Sequence, residues 1–214
     1  MSAGRPIIAK EGWGYISIPC ILSLVAFSEV GPSLGWPLLL VSVVMAAAFR
    51  DPRRDISSNP LAVVSPADGE IVAIDKIHDV YLDRDAIRIR IRTSTLGVYT
   101  IRSPIEGKLL DVWNRIDTDD LGVNSTPLCS ARGFAVWVQT DEADDVVVAM
   151  YGKGLRRPRC YSVVGERVGQ GQSCGCTPFG ACIDVMVPAN SRIAVEVNTT
   201  VMAGSDVLGS LVHE

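Results

Sequence analysis

Ala86-Ile-Arg-Ile-Arg-Ile-Arg-Thr93 alternates without a break, with Ile87, Ile89 and Ile91 on one side and Arg88, Arg90 and Arg92 on the other. A period of two belongs to a β-strand with one face in the core and one face wet. The arginine face is therefore expected to be solvated. Its guanidinium groups could grip a lipid phosphate or a partner's carboxylate in two-pronged fashion. Arg156 and Arg157, with Arg159 beyond Pro158, form a second basic cluster open to the same contacts.

The same β character extends through the chain from residue 61 onward. Phe134 to Val138 and Val146 to Tyr151 are short, valine-rich runs suited to an antiparallel core. Asp141-Glu-Ala-Asp-Asp145 between them reads as an exposed hairpin tip; its spacing does not suit a calcium loop. An internal echo links Ser65-Pro-Ala-Asp-Gly-Glu-Ile to Ser103-Pro-Ile-Glu-Gly-Lys-Leu, two Ser-Pro-x-acid-Gly turns that each feed an apolar strand. Glycine turns at 165–171 and 203–209 complete the look of a biotinyl/lipoyl-type β-sandwich. No lysine stands at a Met-Lys-Met-like hairpin tip, so a swinging-arm carrier is a poor fit.

The first fifty residues are different. Residues 12–28 and 30–49 carry no charge, and Glu29 alone interrupts them. This predicts an N-terminal membrane helical hairpin, with Gly31-Pro-Ser-Leu-Gly-Trp-Pro37 as its break and Pro37 opening the second helix. Each arm is short for a hydrocarbon core of about 30 Å, which suits a shallow dip or tilted spans through a thinned bilayer. Arg5 and Lys10 before it, and Arg50, Arg53 and Arg54 after it, place both ends and the β domain on the cytoplasmic side of the cytoplasmic membrane. The late start of the apolar stretch argues against a cleavable signal peptide. The expected organisation is a hairpin with flanks over 1–54, a linker over 55–60 and a mostly β domain over 61–214.

A net charge of −4, with no long run of like charge, gives no support to nucleic-acid binding as the main role. The six cysteines (20, 129, 160, 174, 176 and 182) lack the spacing of a disulfide scaffold. Cys174, Cys176 and Cys182 also lack the two-residue gaps of a zinc site, so no metal is expected and small apolar fillers are the better reading.

Several segments carry a family resemblance. Phe49-Arg-Asp-Pro-Arg53, Val63-Val-Ser-Pro-Ala-Asp-Gly-Glu-Ile-Val72, Thr93 to Gly107, Gly165-Glu-Arg-Val-Gly-Gln-Gly171, Gly175-Cys-Thr-Pro-Phe-Gly-Ala-Cys-Ile-Asp-Val-Met-Val-Pro188 and Val201 to Leu208 follow one another in order. Together they resemble the short bacterial and archaeal phosphatidylserine decarboxylases. That resemblance implies a self-cleaving Phe-Gly-Ser step, whose serine becomes a bound pyruvoyl group, driven by an Asp-His-Ser arrangement.

The departures fall on that chemistry. Asp68 has its counterpart, but Tyr99 stands at the histidine position and Ala181 at the serine position. The family's Glu-Asn-Glu-Arg-Asn-like stretch is unrecognisable in Pro127 to Val136. Alanine has neither a nucleophile nor a leaving group, and a tyrosine with a reference pKa of about 10 is a poor base near neutral pH. The chain is thus expected to be an uncleaved pseudoenzyme without the pyruvoyl cofactor, anchored to membrane phospholipid as a lipid-binding or assembly subunit of a membrane protein complex. The alternative is a working decarboxylase whose pyruvoyl group comes from Cys176. Cys182 could serve only if its strand slipped by one residue, which would turn every side chain to the opposite face.

Overall fold

The computed structural model describes residues 12–48, 54, 59–94, 100–113, 133–151, 158–177 and 180–212. The chain divides into two compact units, Met1–Arg53 and Arg54–Glu214.

In the first unit, α1 (Gly12–Glu29) and α2 (Pro32–Ala48) form a helical hairpin. Gly31, at φ 104°, ends α1 by donating its N–H to Ala26 O at 2.8 Å. The second helix starts at Pro32, not at Pro37 as the sequence suggested. A proline suits a first helical position, and the interior Pro37 forfeits only one hydrogen bond. Gly35, expected in the break, lies inside α2, where a side chain would strike the Phe27 ring at 2.7 Å. Ser23 Oγ donates to Gly35 O at 2.9 Å and Ser42 Oγ to Ile16 O at 3.0 Å, so two hydroxyls bind the helices together. Outward the hairpin shows Ile18, Ile21, Leu22, Leu24, Leu40 and Val43. Among the described residues no helix is long and apolar enough to cross a membrane, which corrects the expectation of transmembrane spans.

The second unit is built of strands. In chain order they are β1 (Ala62–Val64), β2 (Gly69–Asp79), β3 (Arg84–Thr93), β4 (Thr100–Arg102), β5 (Gly107–Trp113), β6 (Gly133–Gln139), β7 (Asp145–Tyr151), β8 (Arg159–Cys160), β9 (Arg167–Val168), β10 (Ser173–Cys176), β11 (Cys182–Pro188), β12 (Arg192–Ile193), β13 (Thr200–Val201) and β14 (Val207–Ser210). Eight of them make one curled antiparallel sheet in the order β13-β2-β3-β11-β7-β6-β5-β9. Two three-stranded sheets, β1-β14-β12 and β4-β10-β8, accompany it. The mostly β expectation holds, with one long curled sheet as its main element.

The sequence echo is an internal near-symmetry. Ser65 Oγ donates to Ala67 O at 2.8 Å, and Ser103 Oγ to Ile105 O at 2.7 Å. The two turns also bind each other reciprocally: Val64 N–H donates to Pro104 O and Arg102 N–H to Pro66 O, both at 2.9 Å. Gly69 and Gly107 then start β2 and β5. A Cβ on either would collide with a carbonyl of the neighbouring strand, Arg92 O or Gln139 O, so only glycine allows these approaches. Both strands carry a register shift at matching points, Ile71/Ala73 and Leu109/Asp111. The relation therefore pairs β13 with β9, β2 with β5, β3 with β6 and β11 with β7.

One core cluster contains Ile71, Ile89, Ile91, Ile101, Leu109, Val148 and Ile183. On the opposite side, Ala135, Val147, Ala149, Tyr151, Cys182 and Met186 form a second cluster. Both faces of the central strands are buried. This overturns the solvated arginine face: Arg88 and Arg90 are buried, and Arg92 alone of the three is exposed.

Candidate functional site

The end of β3 ties together the two family-matched positions that fall within the described residues. Ser94 N–H donates to Asp68 O at 3.0 Å. Its neighbour Thr93 grips the Ala181 carbonyl twice, through N–H at 2.9 Å and through Oγ1 at 3.0 Å. The close approach allowed by Gly69 brings the Asp68 turn against this strand end.

Ala203 and Arg54 both hold the Asp68 carboxylate. Oδ1 accepts the Ala203 N–H at 2.7 Å, and Oδ2 accepts Arg54 Nη2 at 2.9 Å. Both side chains of the ion pair are largely buried. In the arrangement that the resemblance implies, this carboxylate would work with a histidine; here an arginine has hold of it.

Ala181 is 0% exposed. Gly180 before it adopts φ 64°, a left-handed conformation that favours glycine. Thr177 lies upstream, buried, and its hydroxyl has no hydrogen-bond partner among the described residues. A pyruvoyl group is made from the cleaved residue's own atoms, and Ala181 supplies no oxygen for the acyl shift. Ala181 does not fit that cofactor.

The candidate cysteines lie in paired strands. Cys176 ends β10, the middle strand of its sheet, opposite Thr100 on one side and Arg159 on the other. Cleavage before it would cut that middle strand. Cys182 opens β11, buried opposite Arg92 and Tyr151. Cys174 is buried in the first core cluster, and burial pushes its thiol up to about 12.

The arginine ladder is an ion-pair network. Arg90 Nε and Nη2 donate to Asp184 Oδ1 and Oδ2 at 2.7 and 2.8 Å, deep in the sheet. Arg88 Nη2 donates to Asp75 Oδ2 at 2.9 Å, and the exposed Arg92 to Glu70 Oε2 at 2.6 Å. Tyr151 and Tyr81 lie beside the buried pair, and burial raises both hydroxyls above the usual tyrosine range. Lipid or partner contact by Arg88 and Arg90 would thus need guanidiniums that are already buried and engaged. Tyr99, Arg156 and Arg157 lie outside the described residues, as does the Phe49 to Arg53 element.

Sequence reasoning missed Thr93, Arg54 and Asp184. For Asp184 a signal existed: it is a lone carboxylate within the apolar run Ile183 to Val187. Nothing in the local sequence of Arg54 or Thr93 names their partners.

Residues 41–209 match the phosphatidylserine decarboxylase family. The chain belongs to that family. It is 35% identical over 213 residues to the phosphatidylserine decarboxylase proenzyme of Burkholderia multivorans, covering 99% of each chain. Identity is also 35% to the Burkholderia vietnamiensis proenzyme, with the same coverage. With the Burkholderia pseudomallei proenzyme it is 35% over 212 residues, 99% of this chain and 98% of that one. No solved structure matches. Family membership thus covers the hairpin as well as the sheet.

Proposed function

We propose that this chain is an uncleaved, membrane-attached member of the family that does not decarboxylate, and that it acts as a phospholipid-binding or assembly subunit of a membrane complex. The observation that carries this is Ala181. The self-cleavage implied by the family needs a side-chain nucleophile that attacks the preceding carbonyl and later leaves, and a methyl group does neither. The Arg54 pairing of Asp68 supports the reading, because it occupies an oxygen of the acid that would otherwise orient a base. The outward apolar side chains of the hairpin support a bilayer as its surroundings, dipping in from the cytoplasmic face as the flanking cations indicate.

A second reading is favoured by the near-complete alignment with proteins named as decarboxylase proenzymes. On it, the chain makes phosphatidylethanolamine from phosphatidylserine with a pyruvoyl group derived from Cys176. Such a group, formed at residue 176, would supply an electron sink for the loss of carbon dioxide from the substrate.

Intact mass with a carbonyl-reactive probe separates the two. A single unlabelled 23.0 kDa species is the expected result. A split between residues 175 and 182 with a labelled C-terminal fragment overturns the first reading and supports the second. Phosphatidylserine vesicle binding by the uncleaved chain then distinguishes a lipid-binding subunit from a purely structural one.

A further inference from the structure

Near-symmetry provides an internal control for one surface feature. The turn Val163-Val164-Gly165-Glu166 and the turn Glu196-Val197-Asn198-Thr199 occupy matching places. In the first, Gly165 N–H donates to Leu109 O at 2.7 Å and Leu109 N–H to Glu166 O at 2.9 Å. In the second, Asn198 N–H donates to Ile71 O at 2.7 Å and Ile71 N–H to Thr199 O at 2.9 Å. The third residue of each has positive φ, 92° at Gly165 and 69° at Asn198. The backbones do the same work, but the side chains differ.

The Glu196 turn has three polar residues, Glu196, Asn198 and Thr199, and one exposed apolar residue, Val197 at 44%. The Val163 turn presents Val163 at 69% and Val164 at 54% exposure, with Tyr161, 42% exposed, two residues before. Its counterpart to Tyr161 is Ala194: Tyr161 N–H donates to Cys174 O and Ala194 N–H to Leu208 O. Turn geometry does not demand the apolar residues at 161 and 163, since the other half makes the same turn with Ala194 and Glu196 in those places; Val164 is matched by Val197. The tip is also fixed, because the Glu166 carboxylate folds back to accept the Val163 N–H at 3.0 Å. Directly before it in sequence, Lys153 to Arg159 contains four cations and no carboxylate, and Arg159 is exposed on β8.

We propose that the Tyr161–Gly165 tip is a second bilayer contact, seated among the headgroups of an anionic phospholipid membrane, with Arg159 against the phosphates. Rigid apolar residues beside exposed positive charge suit that interface, and stable attachment draws on two signals rather than one. β8 pairs with β10, whose end leads through Thr177 to Gly180 and Ala181, so this contact would hold the candidate site near the membrane surface. The inference rests on the hairpin being in the bilayer and is independent of whether the chain cleaves.

The test uses the full chain in vesicles of phosphatidylcholine and phosphatidylglycerol whose acyl chains carry a photoactivatable group, with adducts mapped by mass spectrometry. Adducts are expected on the hairpin and on residues 161–165, and none on 196–199. The V163D/V164D variant should lose the loop adducts while its hairpin adducts and melting transition stay unchanged. Hairpin adducts alone, or equal labelling of both turns, overturns the proposal and leaves the hairpin reading standing; a protein partner would then be the better occupant. An unlabelled hairpin defeats the membrane reading itself.

Discussion

Arg90 and Asp184 face each other across β3 and β11 and close a two-pronged ion pair in which the carboxylate is wholly buried. Taking such charges out of water is costly, so the pair matters most when only half of it is removed. Asp184→Ala should destabilise the fold by about 3–5 kcal/mol, because the buried guanidinium is left uncompensated. Arg90→Met with Asp184→Leu should recover most of that loss. Denaturant unfolding of the three detergent-solubilised proteins measures the difference.

The misreading of this face shows what a period can and cannot say. Alternation in Ala86 to Thr93 gave the strand and its inward isoleucines correctly. It could not say that the other face is covered too, because that depends on the curl of a sheet whose partner strand lies 94 residues away. Asp68 and Ala181 were legible because they sit in motifs that read locally. Arg54 and Thr93 were not, since an arginine after a hairpin and a threonine at a strand end carry no mark of their acceptors. The Ser65 and Ser103 echo was visible, but the reciprocal hydrogen bonds that make it a structural repeat were not.

That repeat makes a paired prediction. Gly69→Ala and Gly107→Ala each push a methyl into a backbone carbonyl that cannot swing aside. Both should destabilise, by about 1–3 kcal/mol or more, as overpacking does. Gly165→Ala meets no neighbour but must hold positive φ. Thermal melts that rank Gly165→Ala as costly and Gly69→Ala as neutral would contradict the close strand approach.

Cys174 sets an alkaline limit. Its thiol is held up at about 12 in the folded chain, against an ordinary value of 9.0. Between those values the unfolded chain has lost the proton and the folded chain keeps it. Stability is therefore intact below pH 9 and falls as pH rises toward 12. Burial of Tyr81 and Tyr151 acts in the same direction. At pH 8 iodoacetamide should leave Cys174 unmodified until denaturant is added, as peptide mapping would record. The Cys174→Ala protein should show a shallower alkaline decline.

The two oxygens of Asp68 can be tested separately. Asp68→Asn keeps an acceptor for the Ala203 N–H and loses the charge facing Arg54, whereas Asp68→Ala loses both. An unsatisfied buried donor costs about 1–3 kcal/mol, so the alanine variant should be the less stable by that margin. Arg54→Gln should resemble Asp68→Asn. Urea unfolding midpoints for the three give the order directly, and equal values for Asn and Ala would mean that the Ala203 contact contributes nothing.

The sharpest prediction concerns Ala181 itself. Ala181→Ser supplies a hydroxyl where the resemblance places the cleavage serine but no base to draw its proton, since Tyr99 stands where the resemblance places histidine. A tyrosine, with a reference pKa of about 10, gives such a hydroxyl little help near neutral pH. The single variant should remain one chain. Ala181→Ser with Tyr99→His supplies both missing groups, and should split at residue 180 to leave a carbonyl-labelled C-terminal fragment. Adding Arg54→Gln removes the arginine's hold on Asp68, which should then orient the new histidine better and speed the split. Time courses of intact mass give the order: single variant inert, double slow, triple faster. Cleavage of the single variant would mean that the site needs no histidine. An inert triple variant would mean that more than these three positions separates this chain from self-cleavage.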